Sequence, residues 1–273
     1  LAGENLKLKI LFIMSIVFSA IVPHPPILIP QIGKENLEKL KSTVNAFEKL
    51  KKELEKSKAE TILIISPHGL IHDEVFTMNL NPDFNANFEN FGDFSTKKTW
   101  PGDIGLTYKI REALETKAPL QLVSDPNLDY GTSVPLFLLT SGSEKIIPMY
   151  YSGLSNEEHF SFGKMLNREL QIRKEPIAVI ASGDLSHTIT KDAPAGYNPK
   201  GKKFDNKLIE LLKNKKAKDL LKLDKELIAG ASECGLKSIL IQQGIMDGIN
   251  YEPHLLSYEA PFGVGYLVMN FKM

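Results

Sequence analysis

Ile16-Val17-Phe18-Ser19-Ala20-Ile21-Val22-Pro23-His24-Pro25 is the stretch on which the fold turns: a short, strand-like apolar run stops at a histidine held between two prolines. The device recurs twice. Residues 61–65 run into Ser66-Pro67-His68-Gly69, and residues 177–181 run into Gly183-Asp184-Leu185-Ser186-His187. Between the first two units, Leu37, Leu40, Val44, Phe47, Leu50 and Leu54 recur at spacings of three and four and predict one amphipathic helix with a Lys/Glu-rich outer face. Strand, helix, strand is a βαβ unit, so the chain reads as α/β. In such sheets the crevice lies beyond the carboxyl ends of the strands, where strand–turn–histidine units distant in sequence converge. Converging imidazoles point to metal binding or proton transfer.

The chain has 273 residues and shows no linker, which fits one α/β core. Its 33 Lys+Arg balance 33 Asp+Glu, so no net charge draws it to nucleic acid or to an acidic membrane surface. Small neutral or weakly charged ligands are the expectation. The lysine-rich runs at 49–58 and 213–218 interleave with leucines and glutamates and read as solvated helix faces. The single cysteine, Cys234, excludes an internal disulfide framework and predicts a reducing compartment, by default the cytoplasm.

Residues 7–22 resemble a secretory signal, with Phe18-Ser19-Ala20 as a cleavage site. Cleavage there would remove the strand that presents His24. Met14 reads instead as the natural start, which makes residues 1–13 an upstream extension and 14–273 the catalytic domain. The apolar run falls short of the roughly 20 residues of a membrane-spanning helix, and no other span is predicted.

Further along, residues 79–103 are rich in Asn, Asp, Phe and Gly and read as a long ordered loop, whose phenylalanines and single tryptophan either wall a flat ligand or plug the loop onto the core. Helices are predicted at 108–116 and 157–170 and as a pair over 204–228, with strands at 120–123, 146–150, 251–258 and 264–271. Asp129-Tyr130-Gly131-Thr132 reads as a turn entering a helix.

His24 and His68 are the candidate metal ligands, because two neutral imidazoles in like strand-end turns, joined by one carboxylate, leave open positions of the kind non-haem Fe(II) enzymes use. His187 follows Asp184, and a nearby carboxylate orients an imidazole for general acid or base work. His72, His159 and His254 sit in polar contexts and read as surface residues.

Together Val22-Pro23-His24-Pro25-Pro26, Ser66-Pro67-His68-Gly69, Ser182-Gly183-Asp184-Leu185-Ser186-His187, Pro194-Ala195-Gly196-Tyr197-Asn198-Pro199 with Phe204-Asp205, and Gly263-Val264-Gly265-Tyr266 resemble the class III extradiol ring-cleavage dioxygenases, in the style of the protocatechuate 4,5-dioxygenase catalytic subunit, the LigB family. The resemblance runs from about Ser15 to the end and extends to Memo-like proteins and to relatives that accompany AMMECR1-type domains. It implies a single three-layer αβα domain with a mixed central sheet, Fe(II) as cofactor, and a small aromatic diol and O2 as substrates. The family's two histidine ligands fall on His24 and His68, and its acid/base histidine on His187. Its carboxylate ligand opens a late helix, and the matching stretch is Ser232-Glu233-Cys234-Gly235, which makes Glu233 the natural candidate. Memo-like proteins place a cysteine at the metal, and Cys234 matches that position slightly better by helical phase. Adjacent residues do not both face one ion, so the choice separates oxygenase-like from Memo-like chemistry. Glu259 is a distant third choice for the ligand, since it precedes a turn and reads rather as structural.

One departure stands out: ring-cleaving relatives usually carry a histidine where this chain has Tyr130. A phenol donates a hydrogen bond but, with a reference pKa of about 10, is no near-neutral acid or base. Two functions follow from the resemblance, a metal-dependent extradiol-type oxidoreductase and a Memo-like protein that binds metal or a partner, working beside an AMMECR1-type or radical-enzyme partner without ring cleavage; a homo-oligomer is the other partnership expected. Metal-assisted hydrolysis, with Zn2+ in the same cleft, is a third.

Overall fold

The structure, a computed structural model, describes residues 15–273. The expected extension over residues 1–13 and the start at Met14 lie outside the described residues.

β1 (Ile16–Val22) is followed by α1 (Pro30–Gly33), α2 (Lys41–Ser57) and β2 (Thr61–Ser66). The helix predicted as one piece is divided. Residues 34–40 wind as a 3-10 stretch, and the α-helix runs only from Lys41. Leu37 and Leu40 lie three apart, a spacing that serves a 3-10 turn as well as an α-helix. The chain then enters β3 (Phe76–Asn79), which the sequence reading missed, and a hairpin of β4 (Asp83–Phe88) and β5 (Asp93–Pro101), which overturns the loop expected over 79–103. Phe84, Ala86 and Phe88 are buried alternately with exposed Asp83, Asn85 and Asn87, the period of a half-buried strand.

The remaining elements are α3 (Ile104–Leu114), β6 (Leu120–Val123), α4 (Tyr130–Leu139), β7 (Lys145–Tyr150), α5 (Asn156–Gln171), β8 (Ile177–Ser182), α6 (Pro199–Lys213), α7 (Lys225–Ala231), α8 (Leu236–Ile245), β9 (Glu252–Glu259) and β10 (Tyr266–Lys272). A 3-10 turn at Ala217–Lys222 separates α6 from α7 where a simple helix pair was expected.

Eight strands form one mixed sheet in the order β6-β3-β7-β2-β8-β1-β10-β9. Its four middle strands, β7, β2, β8 and β1, are parallel, so their carboxyl ends share one edge. β10 pairs antiparallel with β1, and β3 antiparallel with β7. Side-chain alternation divides the core between the two faces. Leu63, Ile65, Val179 and Ala181 pack towards α3, α5, α6 and α8, whereas Ile62, Ile64, Ala178 and Ile180 pack towards α2, α4 and the hairpin. The result is the three-layer αβα arrangement. Strands buried on both faces read as continuous apolar runs, which is why β2 and β8 show no polar alternation. Among the described residues no helix is long and apolar enough to cross a membrane.

Candidate metal centre

The histidines stand where the parallel strands end. His24 lies two residues past β1 and His68 two past β2, while Asp184 and His187 follow β8. His24 Nε2 and His68 Nε2 face one another at 3.0 Å. Cys234 Sγ lies 3.7 Å from His24 Nε2, and these three atoms all fall within 4.8 Å of one another.

The orientation of His24 follows from donor and acceptor bookkeeping. Ser182 Oγ donates its one proton to the Gly131 carbonyl at 2.5 Å, since a carbonyl only accepts, so at 2.9 Å it must accept from His24 Nδ1–H. His24 Nε2 is therefore a bare lone pair directed at His68. The backbone N–H of His24 donates to Asp184 Oδ1 at 3.0 Å, and Asp184 Oδ2 lies 4.0 Å from His24 Nε2. Burial, followed by the nearby charge of His187, lowers His24 to about 3. His68 is likewise lowered to about 3 by burial, with His24 and His187 adding to it. Two neutral imidazoles with facing nitrogens repel unless a cation or a proton lies between them.

Tyr130 opens α4, whose N-cap Asp129 accepts from Thr132 N and from Ser66 Oγ. Ser66 thus ties the end of β2 to the start of α4 and fixes Tyr130 against His68. The rings stack at 4.3 Å, and Tyr130 Oη lies 2.8 Å from His68 Nε2. Burial and the neighbouring carboxylates and thiol push the Tyr130 phenol upwards, so it stays a hydrogen-bond donor.

The approach of the third converging donor, Cys234, depends on Gly183. A Cβ on Gly183 would overlap the Gly235 backbone, so glycine at 183 lets the turn after β8 and the entry to α8 pass this closely. That contact seats Cys234 N on the Asp184 carbonyl at 3.4 Å and brings Sγ to the imidazoles. Glu233, the first choice from the sequence, points elsewhere. Its Oε2 accepts from Leu236 N at 2.6 Å, so the carboxylate is spent on the N-terminus of α8. Burial raises Glu233 to about 7 and Asp184 to about 6. Burial with those two carboxylates nearby pushes the Cys234 thiol well up, so its thiolate forms against a cation and not alone.

These donors fit a transition-metal ion. Metal–nitrogen and metal–sulfur bonds of about 2.0 and 2.3 Å in a tetrahedron put nitrogens roughly 3.3 Å apart and nitrogen and sulfur roughly 3.6 Å apart. The observed spacings are 3.0 and 3.7 Å. Imidazole and thiolate together suit iron, zinc or copper.

His187 stands apart from the donor set. Its Nδ1 donates to the Ser232 carbonyl at 2.6 Å and its backbone N–H to Ala231 O, which leaves Nε2 free. The turn that carries it is braced on both sides: Ser186 N and Tyr258 Oη donate to Asp205, and at the Gly-Val-Gly corner Leu185 N donates to Gly265 O while Gly265 N donates to Ser186 O. A cavity of about 270 Å³ opens beside His68, lined in part by Gly69, Leu70, Asp129 and Tyr150.

A family model described as the catalytic LigB subunit of aromatic ring-opening dioxygenase matches residues 19–269. The chain belongs to the LigB family. It is similar to Protein CA_C1420 of Clostridium acetobutylicum, 31% identical over 264 residues, a match that covers 92% of this chain and 56% of the relative. The chain thus spans about half the length of that curated relative. Among solved structures it is similar to an uncharacterized protein, JW3007, from Escherichia coli K12, with a TM-score of 0.68 and 16% identity over 93% of this chain and 99% of that one, a likeness of fold.

Two expectations are corrected here. His159, read as a surface residue, is wholly buried, with Nδ1 donating to Ser155 O and Nε2 accepting from Ser152 N. Trp100 does not wall a ligand, because it is buried with its Nε1–H on Thr140 Oγ1. His72 and His254 are exposed, as expected. Ser182 and Ser66, which orient the site, escaped the sequence reading; their common signal is a serine as the last residue of a buried strand that leads into a histidine turn.

Proposed function

We propose that this LigB-family protein is a metal-dependent oxidoreductase of the extradiol dioxygenase type, acting with O2 on a small catechol-like aromatic. The observation that supports it is the pair of neutral imidazoles at the ends of the parallel strands β1 and β2, which flank β8, with His187 presenting a free nitrogen at the same edge. His24, His68 and a third donor hold the ion, which supplies a template for a vicinal diol and an electron relay between the diol and O2. His187 Nε2 accepts a diol proton, Tyr130 Oη donates a hydrogen bond on the His68 side, and the buried Asp184 holds the turn that carries His24.

A second reading is favoured by one observation, the Cys234 thiol in the position where a carboxylate serves oxygenases. On that reading the protein is Memo-like, a metal-binding protein without ring cleavage that works with a protein partner such as an AMMECR1-type domain.

Metal content and oxygen uptake separate the two. Iron at one per chain with catechol-stimulated O2 consumption supports the first. Copper or zinc retained through purification, with no uptake after iron loading, overturns it in favour of the second.

A further inference from the structure

The hairpin of β4 and β5 keeps Phe84, Phe88 and Trp100 inside and leaves two aromatic side chains exposed near its tip, Phe91 and Phe94. Phe84, Phe88 and Trp100 are at most 1% exposed, whereas Phe91, in the turn between the strands, is 39% exposed. Phe91 nevertheless has a partner: its ring meets Tyr130 edge-to-face at 5.4 Å and 71°, and Tyr130 in turn stacks on His68. The three rings form a continuous series leading outward from the metal-binding nitrogens.

The position of the tip is set by structure well away from it. Trp100 Nε1 donates to Thr140 Oγ1 beyond the end of α4, Asn85 N donates to Pro126 O, and Leu128 N donates back to Asn85 O. The hairpin is thereby bonded to the segment that leads straight into Tyr130. The turn closes through Gly92 at φ 81, the left-handed region in which a side chain is strained, so the chain reverses directly after Phe91. A half-exposed phenylalanine forgoes part of its burial energy, and one held at a fixed place beside a ligand site has a surface to offer.

We infer that Phe91 is a specificity-determining residue, the outer wall against which the ring of an aromatic ligand packs when its oxygens reach the ion at His24 and His68. The inference rests on the proposed function and deepens it, because it assigns to the hairpin the recognition of the ring as distinct from the chelating oxygens. Edge-to-face or offset contact between rings adds a preference that an equally chelating ligand without a ring cannot gain.

The test compares two bidentate oxygen chelators, catechol and acetohydroxamate, titrated calorimetrically into Fe(II)-loaded protein under nitrogen. Phe91→Ala should weaken catechol by about three- to tenfold and leave acetohydroxamate unchanged. Phe91→Trp should retain catechol binding, and Phe94→Ala, on the same hairpin at 71% exposure, should change neither ligand. Catechol binding unchanged by Phe91→Ala, or an equal loss for both chelators, overturns the inference and leaves the proposed function standing. Wild-type protein that takes neither ligand, or takes the hydroxamate but not catechol, overturns both.

Discussion

Ser182 and His24 form a relay with one permitted direction: the serine gives its proton to the Gly131 carbonyl and so accepts from His24 Nδ1, which leaves Nε2 bare for a cation. A partner of this kind fixes the tautomer of a metal ligand, and its loss typically weakens metal binding by about 10- to 100-fold. Ser182→Ala should therefore weaken metal affinity by at least about tenfold, measured by competition with a chromogenic chelator, while circular dichroism stays unchanged. Undiminished affinity would show that the hydroxyl does not set the tautomer.

Cys234 and Glu233 are neighbours whose side chains turn to different partners. Cys234 Sγ is 3.7 Å from His24 Nε2, and Glu233 Oε2 caps α8 through Leu236 N. Cys234→Ala should lose stoichiometric metal binding. Glu233→Gln should keep it and lower thermal stability, since a carboxylate at a helix N-terminus contributes about 0.5–1 kcal/mol. Metal analysis after dialysis and a thermal melt of each variant decide the matter; metal retained without the thiol and lost without the carboxylate would restore Glu233 as the ligand.

How much of this was readable beforehand depended on how far each feature rests on local sequence. β1, β2 and β8 are buried on both faces, so each shows as an unbroken apolar run ending at its histidine turn. The LigB resemblance and the αβα class followed from them. The third converging donor did not, because Glu233 and Cys234 are adjacent and their directions are set by the Gly183–Gly235 contact between segments far apart in sequence. The β4–β5 hairpin was obscured by asparagines, poor strand formers, on the outward face of an alternating Phe84, Ala86, Phe88 pattern that was nevertheless present. His159 looked polar from its neighbours, yet it lies one residue past the Ser155–Glu158 capping box, on the turn of α5 that faces Phe76.

His187 is tied by Nδ1 to the Ser232 carbonyl and is not among the converging donors. His187→Ala should keep full metal occupancy and lose turnover by about 100-fold or more on a catechol that the wild type consumes, the scale of a general acid–base contribution. Elemental analysis alongside oxygen uptake checks both halves. Metal loss in this variant would make His187 a ligand.

His159 makes the fold sensitive to acid without any part in the site. Its neutral ring is fully used, with Nδ1–H donated to Ser155 O and Nε2 accepting from Ser152 N, so a second proton would set two donors face to face. Burial, the largest cause, lowers it from 6.5 to about 4. Because the folded value is depressed, the unfolded chain binds more protons between these two values; the stabilisation is complete above pH 6.5 and is lost as pH falls towards 4. The linkage is worth about 2–3 kcal/mol over that window. His159→Gln should be less stable than wild type at pH 7, yet it should lose less stability on going to pH 4.5. Urea melts of metal-free protein at the two pH values measure both differences, and parallel losses in variant and wild type would place the acid sensitivity elsewhere.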